Sequence, residues 1–212
     1  MSFLQFVLKH RLEITTLTFE HLRLVLWSLA IALAVGLPLG VFLVRHPRWR
    51  AVVLGTNNVI QVIPSLALFG LLLPVPWLGA RADRLTIVAL ALYALLPIVR
   101  NTYTGISGVD PTVLEVATGM GLTPRQVLWN VELPLATPVI LGGVRVATVI
   151  TIGVATIAAA IGAGGLGEFI FRGLAMVDNN VILAGAIPAA LMALLADALL
   201  GGLQRLLQRP RR

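Results

Sequence analysis

Uncharged apolar runs alternate with short clusters of arginine along this sequence. Residues 24–44 (LVLWSLAIALAVGLPLGVFLV) carry no charge, and the basic loop Arg45–Arg50 follows them. Residues 51–80 are again uncharged, and Arg81, Asp83 and Arg84 make a polar turn. A third run starts at Leu85 and stops at Arg100, a fourth falls within 135–161 around Arg145, and a fifth covers 179–196 with Asp197 just beyond. A bilayer crossing takes about 20 residues of helix. The pattern therefore predicts an all-α polytopic membrane protein with about five transmembrane helices. No internal repeat divides it, so residues 1–212 read as a single transmembrane domain. Residues 1–21 mix Phe3, Phe6, Val7, Leu12 and Leu17 with Lys9, Arg11, Glu13 and Glu20, which predicts an interfacial N-terminal segment and no cleavable signal.

Composition sharpens that reading. Hydrophobic residues make up 58% of the chain and charged ones 12%, with a mean hydropathy of +0.95. Soluble domains carry about 25% charge, so a soluble fold is excluded. Without cysteine there are no disulfides or thiolate metal sites. His10, His21 and His46 fall outside the apolar runs, which argues against an intramembrane metal site and predicts no metal. The same placement leaves an intramembrane hydrolase without its Ser–His pair, and Asp197 has no evident aspartate partner. The net charge of +7 is nearly all arginine, spread through short loops. That distribution suits topology and anionic headgroups, not nucleic acid. Arg45, Arg48, Arg50, Arg100, Arg125, Arg205, Arg209, Arg211 and Arg212 fall on one side of a five-span chain. Lys9, Arg11, Arg23, Arg81, Arg84 and Arg172 fall on the other, which favours a cytoplasmic C-terminus and an extracytoplasmic N-terminus.

Residues 110–134 (DPTVLEVATGMGLTPRQVLWNVELP) break the apolar rhythm. Asp110 is an N-cap followed by Pro111 at the first helical position, and Gly119 and Gly121 end that helix. Thr123, Pro124 and Gln126 predict a second helix opened by a capping box, and Pro134 closes the segment as the next span begins. A stiff helix–turn–helix of this kind is either an interfacial hairpin on the lipid or a docking knob for a soluble partner.

Glu115-Val116-Ala117, then Gly121, then Val131, Leu133 and Pro134 resemble the EAA-type signature of ABC-importer permeases. Val116 stands where that signature usually has alanine, and Val131 where it usually has isoleucine. The segments Gln61–Ala67, Leu96–Ile106 and Ile161–Leu174 are similar to permeases of the osmoprotectant branch, which import glycine betaine, choline, carnitine and related quaternary amines. The resemblance implies a type I importer fold with short cytoplasmic coupling helices. It implies a membrane subunit that is not itself an enzyme and carries no cofactor, with ATP bound by a separate ATPase dimer. It also implies a second permease subunit, identical or paralogous, and an extracytoplasmic binding protein. Glu115, Ala117, Gly121, Val131, Leu133 and Pro134 are then the expected ATPase-coupling residues. A methionine or other amino-acid importer of the same superfamily remains as an alternative.

Other motifs carry less. Gly162-Ala-Gly164-Gly-Leu-Gly167 has the letters of a dinucleotide fingerprint but follows an apolar helix, which predicts instead an irregular glycine-rich segment over 162–180. Asn57 and Gln61 in the second run and Tyr93 in the third are candidate pathway-lining residues, Tyr93 as an aromatic face for a quaternary ammonium. Arg145 has two possible partners, Asp197 or a backbone carbonyl. Gly36-xxx-Gly40 allows close helix contact within the chain or between chains. Pro38, Pro64, Pro97, Pro138 and Pro188 sit in or at the ends of the spans, which suits helices that bend around a pathway.

Overall fold

A computed structural model describes residues 3–208. Arg209, Arg211 and Arg212, which contribute to the charge asymmetry, lie outside the described residues. The first elements are α1 (Phe3–Lys9) and α2 (Arg11–Arg45). At about 1.5 Å per residue the 35-residue α2 is about 52 Å long, well beyond a hydrocarbon core of about 30 Å. Within the segment expected to be interfacial, residues 11–21 form the opening turns of this long helix. Two of its carboxylates are met by distant groups. Arg172 donates to Glu13 at 2.8 Å, and the Gly165 N–H donates to Glu20 at 3.3 Å. His21 is also inside α2 and fully buried, against the expectation that no histidine enters a span. Its Nε2 donates to the Ile152 carbonyl at 3.1 Å and its Nδ1 has no hydrogen-bond partner, so no Ser–His pair forms there.

The expected second span is broken. Helix α3 (Arg50–Val62) and helix α4 (Ser65–Leu72) meet at 103°, and neither is long enough to cross alone. Pro64 causes the break: it has no N–H to give, and it holds Ile63 extended at φ −62°, ψ 126°. A one-turn helix α5 (Pro76–Gly79) leads into α6 (Ala82–Ser107), which takes Arg100 into its body. After α6 come α7 (Pro111–Gly119) and α8 (Pro124–Val127). Helix α8 then passes through one π-turn, Leu128–Glu132, into α9 (Leu133–Ala155). Pro134 therefore does not separate loop from span, since Pro124–Ala155 is one continuous 32-residue rod. Proline is tolerated there because the hydrogen-bond ladder is already shifted by the π-turn Leu128–Glu132 immediately before it.

A 3-10 turn, Ile157–Ile161, precedes α10 (Gly167–Met176), so the segment expected to be irregular over 162–180 contains a ten-residue helix. Helix α11 (Asn179–Gln208) closes the described chain. Among the described residues, four helices are long and apolar enough to cross a bilayer, and there are five if the bent pair is one span.

Helix α6 is the hub. Its Leu90, Ala91, Ala94 and Ile98 pack with Leu24, Val25, Leu29 and Ala32 of α2 and Ala147, Ile152 and Ala155 of α9. Lipid tails are as apolar as these side chains, so the packing gains come from close van der Waals fit, not from leaving water. Gly36 and Gly40 supply that fit within the chain: a Cβ at Gly36 would lie 2.8 Å from Ile98, and one at Gly40 would lie 2.5 Å from Thr102. Three polar contacts also fix the helix directions. Arg45 at the end of α2 bonds Glu132, Gln204 near the end of α11 bonds the Pro138 carbonyl, and Arg172 of α10 bonds Glu13 at the start of α2. The 110–134 loop and the ends of α2 and α11 thus share one side of the bundle, opposite α10 and the start of α2.

Candidate functional site

The loop between α6 and α9 is assembled from local hydrogen bonds that its sequence dictates. Asp110 accepts from the Thr112 N–H at 2.8 Å, capping α7. At the other end the Gly121 N–H reaches the Thr118 carbonyl at 2.9 Å and the Leu122 N–H reaches the Ala117 carbonyl at 3.3 Å. This pair of bonds is a Schellman motif, which needs a left-handed residue between helix and exit, and Gly121 supplies it with φ +85°. Gly119 is only the last helical residue. The capping box at α8 is formed in both directions, with the Thr123 N–H donating to Gln126 Oε1 at 2.8 Å and the Gln126 N–H to Thr123 Oγ1 at 3.4 Å.

Beneath the loop, Arg45 donates to Glu132, whose carboxylate is almost fully buried while the arginine remains half exposed. A cavity of about 220 Å³ beside this pair is lined by Leu114, Thr118, Leu122, Pro124 and Val127. The outward face is different. Val113, Val116 and Met120 fall at helical spacing and all face solvent, with Val116 58% and Met120 76% exposed. Trp129 stands exposed on the following turn. An exposed apolar stripe on a helix capped at both ends is the form of a surface made to be covered.

Of the expected coupling residues, Glu115, Gly121 and Pro134 are exposed, Val131 and Leu133 are half-buried, and Ala117 is buried in the turn it helps to close.

The candidate pathway residues separate. Asn57 is buried and its amide donates to the Val53 carbonyl of its own helix at 2.9 Å. Gln61 and Tyr93 come together at the α3–α4 corner. The Tyr93 hydroxyl donates to the Ile63 carbonyl, which the helix break strands, and Gln61 donates to the Tyr93 carbonyl at 3.5 Å. That second carbonyl would normally bond the N–H four residues on, where Pro97 has none. The Tyr93 ring is itself buried in this conformation, so it offers no open aromatic face here. Arg145 takes the first of its two possible partners: its guanidinium binds both carboxylate oxygens of Asp197.

Residues 32–212 match the family described as binding-protein-dependent transport system inner membrane component. The chain belongs to this family. It is 46% identical over 190 residues to a glycine betaine/carnitine/choline transport system permease protein, OpuCD, of Bacillus subtilis, covering 89% of this chain and 82% of that protein. It is 44% identical over 207 residues to an osmoprotectant import permease protein, OsmW, of Salmonella typhimurium, covering 96% of each. Its fold is similar to a chain of the inward-facing MetNI methionine ABC transporter, with a TM-score of 0.80 and 23% identity, covering 90% of this chain and 94% of that one.

Within this permease, reading the sequence missed the Arg45–Glu132 pair. The available signal was Glu132 itself, the one acidic residue between 121 and 155, set among apolar neighbours. A lone carboxylate at the foot of a span needs a cation, and Arg45 closes the helix that ends beside it.

Proposed function

We propose that this permease is the membrane-spanning subunit of an ATP-driven importer for osmoprotectants such as glycine betaine, choline or carnitine. The loop over 110–134 couples it to a separate ATPase dimer on the cytoplasmic side. The observation that carries the coupling role is the exposed stripe Val113, Val116 and Met120 on a helix fixed at both ends. Force applied to such a helix passes through the continuous Pro124–Ala155 rod into the bundle, and through Arg45–Glu132 into α2. A floppy loop would absorb that force. Support for the substrate class comes from the names of the relatives.

With the loop cytoplasmic, α11 ends in the cytoplasm and α2 begins on the outer side, where an extracytoplasmic binding protein delivers substrate. A second permease subunit, this chain or a paralogue, completes the path.

The test is uptake by the complex reconstituted with its ATPase and binding protein in vesicles. ATP-dependent accumulation of labelled glycine betaine, choline or carnitine is expected; accumulation of methionine with none of these overturns the substrate assignment. Met120→Asp should abolish ATPase co-purification while leaving thermal unfolding of the permease unchanged. Undiminished co-purification and uptake would overturn the coupling role. Labelling of Gln126→Cys from outside intact cells would overturn the orientation.

A further inference from the structure

We infer that the face of α9 and α11 carrying Arg145, Asp197 and Gln204 forms a wall of the water-filled translocation path. This inference rests on the transport function proposed above. Arg145 lies about 18 Å along α9 from Leu133 and about 15 Å from Ala155, so it is near the middle of its crossing. Asp197 is similarly deep, about 27 Å along α11 from Asn179 and about 16 Å from Gln208.

Neither group is sealed in the bundle, for the side chains are 37% and 36% exposed. They open onto a groove of about 440 Å³ whose other walls include Gly142, Val146, Val149 and Gln204. A charge pair at that depth, facing hydrocarbon with a third of its surface, loses hydration that its mutual attraction does not fully replace. Water facing the groove removes the penalty. The outer face of α2 is the contrast. At comparable depth it shows Leu26, Trp27, Ile31 and Val35, all apolar and all exposed, as lipid requires.

The pair also suits a cationic cargo. Both carboxylate oxygens of Asp197 are taken by the Arg145 guanidinium, so the wall is polar but carries no net charge. A quaternary ammonium passes it without meeting a bare guanidinium or a binding carboxylate that would hold it. Gly201 leaves room for the arrangement, since a Cβ there would lie 3.1 Å from the Arg145 guanidinium and push it by a few tenths of an ångström.

The chain contains no cysteine, so Val146→Cys and Val149→Cys report cleanly in a complete importer whose other subunits are also cysteine-free. The probe is a charged, membrane-impermeant methanethiosulfonate reagent applied to the importer in open membrane vesicles. Both thiols are expected to react, with loss of ATP-dependent uptake. Absence of label at both positions, by mass spectrometry of the intact complex, places the face against lipid or dry protein and overturns the inference, whether or not the variants transport. Should the unsubstituted importer accumulate no quaternary amine, the functional reading fails, while the labelling still decides whether this face is wet.

Discussion

Two glycine-turn elements join the spans of this permease at opposite ends, and they are held in place by different means. The loop over 110–134 is fixed almost wholly by itself: an Asp110 cap, a Schellman turn at Gly121 and a Thr123–Gln126 capping box, all within a few residues of one another. The element over 162–178 is fixed from afar. Gly164 and Gly165 turn left-handed at φ +83°, and the turn then leans on Glu20 and on the His21 ring. Arg172 reaches Glu13 across 159 residues of sequence and stacks 4.5 Å from the Phe169 ring. A self-contained element keeps its shape while the bundle tilts beneath it, which a lever needs. An element held by α2 must move with α2.

If that contrast is right, substitutions at the two ends should fail differently. The largest effect is expected from Arg45→Ala, which leaves Glu132 buried without its cation. The cost should be about 3 kcal/mol, the low end for breaking a buried pair because the arginine end is half in water. Thermal unfolding in detergent reads it, and Glu132→Gln in the same background should restore much of the loss. Next is Gly167→Ala, where the new Cβ would lie 1.9 Å from the Thr156 carbonyl oxygen. About 2 kcal/mol of destabilisation is expected from the forced backbone shift, with weakened protection of the α10 amides in hydrogen exchange.

Gly121→Ala is smaller in energy, about 1 kcal/mol for holding a side chain in the left-handed region. It is the sharper functional probe, because uptake should fall while ATP hydrolysis continues. Equal loss of both would mean that the turn supports folding only. The smallest effect is Arg172→Ala, about 0.5 kcal/mol for a half-exposed pair, seen as faster exchange at Glu13 and its neighbours with the 110–134 loop untouched. A change in the loop's exchange would break the idea that the two ends are held independently.

The same division explains what the sequence made legible. Caps, glycine turns and helix starts in 110–134 are written in adjacent letters, so the loop is legible from its residues alone. The opening turns of α2 are not, because Glu13, His21 and Glu20 look like surface residues until their partners on α9 and the α10 segment are known. Helix α10 hides behind its glycines for a related reason: close packing of Gly167 and Gly173 against neighbouring backbone, not local propensity, specifies it. Pro64 announces a disturbance in the second run, but the 103° angle depends on how α6 receives the freed carbonyl. Gly36 and Gly40 could serve contacts within or between chains on sequence alone, and only Ile98 and Thr102 decide for the former. Arg145 likewise needs the third dimension to choose Asp197.

Two hydrogen bonds tie the corner at Ile63–Pro64 to Tyr93 of α6, and α4 also packs against the Ile157–Ile161 turn. A movement of α6 that displaces Tyr93 therefore pulls on the joint between two half-length rods, as a wrist turns a jointed handle. A phenol and an amide tie the joint to α6, and replacing the phenol by phenylalanine would cut one of those two strings.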